Sequence, residues 1–172
     1  MKKSLLHIFT LTLLAFATGE QAFAQKKNPG QVGCIDPNLR LQADAIKQHY
    51  VAQGFKVYRD AMVNMFSMET FPIVVQLTGG QLYQIIYTGQ QAAANHKMVI
   101  YDGADKKLDE KAVTHKGEEW ANYILYEFVP ERTDMYLLTF VTKLKHKDFC
   151  GSVCILEADR SKGNIRYKPY TP

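Results

Sequence analysis

Three cysteines are the residues whose spacing most restricts the chemistry open to this 172-residue chain. Cys150 and Cys154 are four positions apart, which separates them by about 13 Å on an extended strand, whereas a disulfide needs about 5.5 Å between its Cα atoms. We therefore expect Cys34 to bridge to one of these two, unless a turn at residues 151–152 lets the pair close on itself. A zinc site is a poorer match, because C-x-x-x-C with one distant cysteine lacks the usual spacing and a fourth ligand.

An acidic segment offers oxygen ligands for a metal ion. It contains Asp102, Asp105, Asp109 and Glu110, and Ca²⁺ prefers several oxygen ligands. The spacing does not follow the helix–loop–helix calcium pattern, and Gly103 is typical of a tight turn. We expect Asp102 and Asp105 to shape a turn, with calcium binding as the alternative and no other cofactor.

Trp120, Tyr123 and Tyr126 form a third group of candidates. Exposed aromatic rings can stack on a sugar ring, so these three residues are the candidates for a ligand-binding platform. Aromatic residues of β-sheets more commonly form cross-strand pairs that are buried or half-buried. Both interpretations stand until the rings are placed on a sheet.

The sequence lacks the compact catalytic signatures that a single chain can reveal. A G-x-S-x-G nucleophile motif, an H-E-x-x-H zinc motif and a phosphate-binding G-x-x-x-x-G-K motif are all absent. The formal net charge of +4 is too small to indicate a nucleic-acid partner. We therefore expect a protein that is not an enzyme and does not bind nucleic acid.

The first 24 residues have the features of a cleaved export signal. Lys2 and Lys3 precede an apolar stretch over residues 5–16, and Ala22-Phe23-Ala24 fits the small-x-small pattern of signal peptidase. The stretch is too short for a membrane span, which needs about 20 apolar residues. We predict cleavage after residue 24, a flexible leader over residues 25–36, and a mature chain that is periplasmic or secreted without membrane insertion. Export also makes a disulfide the expected state of two cysteines.

One amphipathic helix is predicted at residues 37–53. Asp36 supplies an N-cap side chain, Pro37 is the proline favoured at the first helical position, and Gly54 is a C-terminal stop. The apolar residues recur at steps of three and four and therefore share one face: Leu39, Ala43, Ile46 and Tyr50. We expect this stripe to pack on an apolar surface.

Beyond Gly54 the apolar residues recur with a period of two, which is typical of strands. Two apolar runs, 71–77 and 82–87, flank Thr78-Gly79-Gly80-Gln81, which predicts a β-hairpin because glycine tolerates positive φ angles. About eight short strands and one N-terminal helix predict a mostly-β fold, an antiparallel β-sandwich or jelly roll. We assign residues 37–158 to this single domain and residues 159–172 to a basic tail that need not be ordered.

Four segments of the strand region resemble the bacterial pre-peptidase C-terminal domains, a family of β-sandwich accessory modules. They are Gly80-Gln-Leu-Tyr-Gln-Ile, Val99-Ile-Tyr-Asp-Gly, Tyr126-Glu-Phe-Val-Pro and Thr133-Asp-Met-Tyr-Leu-Leu. The resemblance covers residues 72–157, about half of the chain, and the predicted helix departs from it. It implies a non-catalytic sandwich and supplies no active-site residue. The export signal resembles those of secreted Bacteroidota proteins.

These observations favour a secreted or periplasmic binding or interaction protein without enzymatic activity. Its partner would be an envelope protein or a polysaccharide. The alternative is a carbohydrate-binding module that uses Trp120, Tyr123 and Tyr126 as its exposed aromatic residues.

Overall fold

The computed structural model describes residues 34–114, 121–145, 148–159 and 167–171. The predicted export signal, residues 1–24, and most of the predicted leader lie outside these residues, as does Trp120. Among the helical residues that are described, none belongs to a helix long and apolar enough to cross a membrane.

Helix α1, Pro37–Ala52, begins and ends close to the positions that its local signals predict. The Asp36 side chain accepts a hydrogen bond from the Leu39 backbone N–H at 3.0 Å, which satisfies one of the donors left free by the first turn. Gly54 follows the helix with a φ of 99°, a conformation that favours glycine. The predicted apolar stripe is confirmed as the buried face of the helix.

Eight strands in the described part of the chain form two four-stranded antiparallel sheets. They are β1 (Phe55–Phe66), β2 (Phe71–Leu77), β3 (Tyr83–Thr88), β4 (Asn95–Tyr101), β5 (Lys107–Thr114), β6 (Tyr123–Phe128), β7 (Asp134–Lys143) and β8 (Asp148–Ala158). Sheet A has the order β1-β8-β3-β6, and sheet B has the order β2-β7-β4-β5. The predicted fold class, a mostly-β antiparallel sandwich with one N-terminal helix, is confirmed.

The main core lies between the two sheets. Both sheets contribute fully buried side chains to it, among them Ile85, Tyr87, Ile100, Leu138 and Phe140. Because side chains alternate along a strand, sheet A also has an outer face, and α1 packs on it. Ile46 and Tyr50 of the helix meet Ile86, Cys154 and Leu156 there, and these residues form a second core.

The predicted hairpin over residues 71–87 is wrong. β2 pairs with β7 in sheet B, whereas β3 pairs with β6 and β8 in sheet A, so the turn between them crosses from one sheet to the other. Its two glycines are needed for that crossing: a Cβ on Gly79 would lie 2.9 Å from the Arg132 backbone, and Gly80 has a φ of 70°. The turn was predicted correctly, but strand pairing depends on partners that are distant in the sequence.

A disulfide joins Cys34 to Cys150 across 116 residues of sequence, with 5.6 Å between the Cα atoms. This pairing confirms the predicted bridge between the segment before α1 and the last strand. Cys154 is the free cysteine and is buried in the second core. Burial raises the pKa of its thiol to about 12, so the thiol stays protonated at neutral pH.

Part of the C-terminal tail lies against the domain. Tyr167 and Tyr170 pack on the second core, where their rings cover apolar surface at the end of α1. That the tail over residues 159–172 need not be ordered stays a prediction. Residues 160–166 lie outside the described residues.

Candidate functional site

Two residues of the predicted aromatic platform, Tyr123 and Tyr126, do not share a face of the sheet. Tyr123 and Tyr126 are three residues apart on β6 and therefore project from opposite faces of sheet A. Tyr123 packs edge-to-face against Tyr170 of the tail, on the helix side. Tyr126 stacks on Phe128 on the core side, where its hydroxyl donates to the carboxylate of Asp109 at 2.6 Å. Two of the three candidate rings thus serve packing, and Trp120 lies outside the described residues.

The acidic residues Asp102 and Asp105 lie in the turn between β4 and β5. Asp102 Oδ1 accepts hydrogen bonds from the backbone N–H groups of Lys106 at 3.0 Å and Ala104 at 2.9 Å. These bonds, together with the guanidinium of Arg132, lower the pKa of Asp102. Within the described ranges, no three His, Cys, Asp or Glu side chains come together as a metal site. The turn accounts for the hydrogen bonds of Asp102, and calcium binding at Asp102 and Asp105 stays a prediction.

A cavity of about 300 Å³ lies between the first turns of α1 and the loop that joins β3 to β4. Nine residues line it: Asp36, Asn38, Leu39, Gln42, Gly89, Gln90, Gln91, Ala92 and Asn122. Five of the nine carry a carboxamide side chain, and the one charged side chain among them is a carboxylate. The volume is at the lower end of the roughly 300–1,000 Å³ range of small-molecule sites. We refer to this feature as the amide cavity.

Asn122, which immediately precedes β6, holds the floor of the amide cavity in place. Its buried carboxamide exchanges two hydrogen bonds with that of Gln42, at 2.6 and 2.8 Å, and donates a third to the Gly89 carbonyl at 2.7 Å. Gly89 donates its own backbone N–H to the Asn122 carbonyl at 2.8 Å. These bonds join the helix, the β3–β4 loop and the start of β6, so the cavity walls are fixed relative to one another.

The β3–β4 loop is also supported from the core side, by a buried polar cluster. His96 is fully buried, and its Nδ1 forms a hydrogen bond of 2.8 Å with Thr142 Oγ1, which also bonds the Tyr87 hydroxyl at 2.6 Å. Burial lowers the pKa of His96 to about 4, so the ring is neutral at physiological pH. A Cβ on Gly89 would lie 2.1 Å from His96 Cε1, so this ring leaves room only for glycine at the loop's first position.

Asp36 connects the amide cavity to a second cavity beside the disulfide. Its Oδ1 caps α1, while its Oδ2 accepts a hydrogen bond from Gln90 Nε2 at 3.4 Å. The second cavity, of about 490 Å³, shares these two residues with the amide cavity and extends to Asp148 and the Cys34–Cys150 bridge. The two cavities form one groove at the N-terminal end of α1. Both charged side chains among its described lining residues, Asp36 and Asp148, are acidic.

The lining of this groove determines which chemical groups it can hold. A carboxamide presents two N–H donors and one carbonyl acceptor, so it can pair with a group that both donates and accepts. The carboxylates accept hydrogen bonds and repel anions. The groove is therefore suited to neutral, polar ligands.

Sequence reasoning missed the amide cavity because its residues come from three separate segments of the chain. Gln42 and Asn122 are 80 residues apart and meet only once α1 has packed on sheet A. One local signal was available: the polar run Gly89-Gln90-Gln91 follows a strand that is buried along its whole length. A run of this kind marks a loop, but it does not reveal what the loop faces.

No protein-family model matches this chain, and no curated protein matches it. Several solved structures overlap it loosely, among them the following three. One is TmCBM61 in complex with beta-1,4-galactotriose, at 14% identity and a TM-score of 0.34, over 61% of this chain and 87% of that one. Another is the Clostridium thermocellum endo-1,4-beta-D-xylanase 10B with its CBM22-1 and GH10 modules and xylohexaose, at 13% identity and a TM-score of 0.33, over 68% of this chain and 30% of that one. The third is the infectious bursal disease virus Gx strain, at 14% identity and a TM-score of 0.25, over 63% of this chain and 35% of that one. We draw no functional conclusion from these overlaps.

Proposed function

We propose that this protein is a non-enzymatic binding protein whose amide cavity takes a neutral carbohydrate. The observation that carries the proposal is the lining of the cavity, in which five of nine side chains are carboxamides. A sugar hydroxyl both donates and accepts hydrogen bonds, as a carboxamide does, so each hydroxyl can be paired in both roles. Leu39 and Ala92 add apolar contacts for the C–H groups of a sugar ring.

The arrangement of the cavity favours binding through its pre-formed walls. Asn122 and Gln42 already satisfy each other, so they keep their positions without a ligand. Asn38 and Gln91 line the cavity and are exposed, so a ligand can reach both carboxamides. Walls that are fixed before binding reduce the entropy lost when the ligand is ordered.

The charge of the groove indicates which carbohydrates it would reject. Asp36 and Asp148 are its charged lining residues in the part of the chain that is described, and both are acidic. Uronic acids and sulfated sugars carry negative charge and would be repelled, whereas neutral sugars would not. We therefore assign the groove to neutral sugars.

A carbohydrate is also the ligand of the alternative predicted from the sequence, a carbohydrate-binding module with exposed aromatic residues. The amide cavity is a different site from those residues. The Cys34–Cys150 disulfide fits a protein that works in a periplasm or outside the cell, where polysaccharides are accessible partners. Tyr123 and Tyr126 are not needed for this binding, because one packs under the tail and the other faces the core.

A glycan array with the mature chain, residues 25–172, tests the proposal. We expect binding to neutral oligosaccharides and none to their uronic-acid counterparts. The double variant Asn38→Ala/Gln91→Ala removes two exposed lining carboxamides and should weaken binding by about tenfold, since each lost hydrogen bond is worth about 0.5–1.5 kcal/mol. Gln48→Ala, an exposed carboxamide of α1 outside the cavity, is the matched control and should bind like the wild type.

Two results would contradict the proposal. One is an array on which the folded protein binds no neutral glycan. The other is a double variant that binds as tightly as Gln48→Ala at an unchanged melting temperature, which would place the ligand elsewhere. Turnover of a glycan that a single substitution abolishes would show that the protein is an enzyme.

A further inference from the structure

The second cavity, beside the Cys34–Cys150 bridge, is the part of the groove to which the proposed function assigns no ligand. Its volume is about 490 Å³, larger than the 300 Å³ of the amide cavity. Asp36 and Gln90 belong to the walls of both cavities, so a ligand can extend from one into the other along the groove. The amide cavity alone is at the lower end of the size range of small-molecule sites. A ligand that is longer than this cavity can therefore continue into the second one.

The lining of the second cavity has the same chemical character as that of the amide cavity. Asn64 and Gln90 supply carboxamides, which both donate and accept hydrogen bonds, as sugar hydroxyls do. Ile35 and Phe149 supply apolar surface for the C–H groups of a sugar ring. Asp148 supplies a carboxylate, which accepts hydrogen bonds from hydroxyls. A second neutral sugar unit therefore finds suitable partners here.

Ile35 is the most exposed large hydrophobic side chain in the described part of the chain, at 88%. It lies between two residues that are held in place, since Cys34 is bonded to Cys150 and Asp36 caps α1. An aliphatic side chain that is left in water does not gain the free energy of burial, and a ligand that covers it does. Because the backbone is held on both sides of Ile35, covering its side chain requires little ordering of the chain.

The rest of the lining belongs largely to sheet A. Asn64 of β1 lies opposite Cys150 of β8 in the antiparallel register, and the Phe149 side chain is buried in the main core. The disulfide from Cys150 ties this part of the sheet to the segment that carries Ile35. The second cavity thus has pre-formed walls, held by strand pairing and by a covalent bond.

We propose that the second cavity is a second sugar subsite, so that the groove binds a chain of at least two neutral sugar units. The first unit lies in the amide cavity, and the second lies beside the disulfide, in contact with Ile35 and Asn64. This inference rests on the proposed function and adds to it the length of the ligand. A linked second unit is already held near its subsite, so its contacts increase the affinity without the full entropy loss of a separate ligand.

A titration of the ¹⁵N-labelled mature protein, followed by its side-chain NH₂ signals, tests the inference without any substitution. The probes are the neutral oligosaccharide selected on the glycan array and the disaccharide and monosaccharide from which it is built. The monosaccharide should shift the signals of Asn38 and Gln91. The disaccharide should bind at least about tenfold more tightly and should also shift the signal of Asn64, with the same affinity as the other two.

Variants of the second cavity should separate the two subsites. Ile35→Ala should weaken binding of the disaccharide at least about fivefold and leave that of the monosaccharide within about twofold of the wild type. Asn64→Ala should show the same pattern, because it removes hydrogen bonds to the second unit only. Leu41→Ala is the matched control for Ile35→Ala, since Leu41 is an aliphatic residue of α1 that is 70% exposed and lines neither cavity. It should bind both sugars like the wild type.

The outcomes distinguish this inference from the proposed function. A disaccharide that shifts Asn38 and Gln91, leaves Asn64 in place and binds no more tightly than the monosaccharide would overturn the inference and leave the proposed function intact. An Ile35→Ala variant that binds the disaccharide as tightly as Leu41→Ala, at an unchanged melting temperature, would overturn it as well. If no neutral sugar shifts any of these signals, the proposed function fails and the inference fails with it.

Discussion

His96 is a buried residue that supports the β3–β4 loop from the core side. It is buried at the end of sheet B that faces the amide cavity, it bonds Thr142, and its ring lies against Gly89. Burial favours the neutral imidazole over the charged one, which is why it lowers the pKa of His96 to about 4. The loop that carries Gln90 and Gln91 therefore rests on a side chain whose charge changes with pH.

We predict that the protein loses stability in acid because of His96. As the pH falls below about 6.5, the unfolded chain takes up a proton at this residue, whereas the folded chain does not until the pH is about 4. The neutral ring contributes about 3 kcal/mol to the free energy of unfolding. This contribution is fully present above pH 6.5 and is lost as the pH falls towards 4. Urea unfolding of the wild type and of His96→Asn at intervals between pH 4 and pH 7 measures it. A difference between the two proteins that does not vary with pH would refute the prediction.

We also predict that Gly89→Ala is destabilising although the substitution is small. The new Cβ would lie 2.1 Å from the buried His96 ring, and overpacking of this kind costs about 1–3 kcal/mol. Gly103→Ala is the matched control, because the atoms nearest to its Cβ belong to the half-exposed side chain of Asp134, which can move. We expect Gly103→Ala to change the free energy of unfolding by less than about 0.5 kcal/mol. Equal melting temperatures for the two variants would show that the His96 ring moves aside at no cost.

Among the elements, those with local signals were predicted from the sequence and those that depend on distant partners were not. α1 was predicted because its cap, its proline and its terminal glycine act within a few residues of the helix. The 71–87 hairpin was wrong because β2 finds its partner in β7, more than 55 residues further along the chain. Period-two patterns identify strands and their buried faces, but two adjacent strands with a glycine turn fit a hairpin and a sheet-to-sheet crossing equally well.

In the candidate site, too, features with a local signal were predicted and features that depend on distant residues were not. The sequence correctly indicated Cys34 as the partner of a cysteine in the last strand, because chain geometry disfavours the alternative pairing. It did not reveal the amide cavity, because the Gln42–Asn122 pair forms only when the helix docks on sheet A. Aromatic residues were the obvious ligand candidates, yet their three-residue spacing divides Tyr123 and Tyr126 between the two faces of β6.

At the level of elements, we predict that the disulfide is the main constraint on the start of α1. Replacing both bridged residues, as Cys34→Ala/Cys150→Ala, should lower the free energy of unfolding by up to about 4–5 kcal/mol, because the bridge closes a loop of more than 100 residues. Cys154→Ala is the control, since that thiol has no covalent partner and loses only its packing. Thermal unfolding of the three proteins measures the difference. A double variant no less stable than Cys154→Ala would contradict the prediction.

Across the whole molecule, α1 separates the amide cavity from the packed part of the C-terminal tail. The amide cavity lies at the N-terminal end of the helix and Lys168 of the tail contacts Gln53 just beyond its C-terminal end, and a helix of 16 residues spans about 24 Å. Effects at sites that share no residues are usually additive. We therefore expect a ligand in the amide cavity to leave the packing of the tail unchanged.

We predict that the amide cavity and the packed tail behave independently of one another. Tyr167→Ala/Tyr170→Ala should bind neutral oligosaccharides within about twofold of the wild-type affinity, because neither residue contacts the amide cavity. Asn38→Ala/Gln91→Ala should leave hydrogen exchange of the tail unchanged for the same reason. Calorimetric titration of the first variant and hydrogen exchange of the second provide the check. A tenfold change in either would show that α1 couples its two ends.

The most direct test of the central claim is an NMR titration that observes the side-chain NH₂ groups of asparagine and glutamine. A neutral oligosaccharide selected on the array is added to the ¹⁵N-labelled mature protein. If the amide cavity binds sugars, the NH₂ signals of Asn38, Gln91 and Gln42 shift with a common affinity, while those of Gln48 and Gln76, which lie outside the cavity, stay in place. Unchanged signals from all cavity carboxamides at saturating sugar would contradict the account.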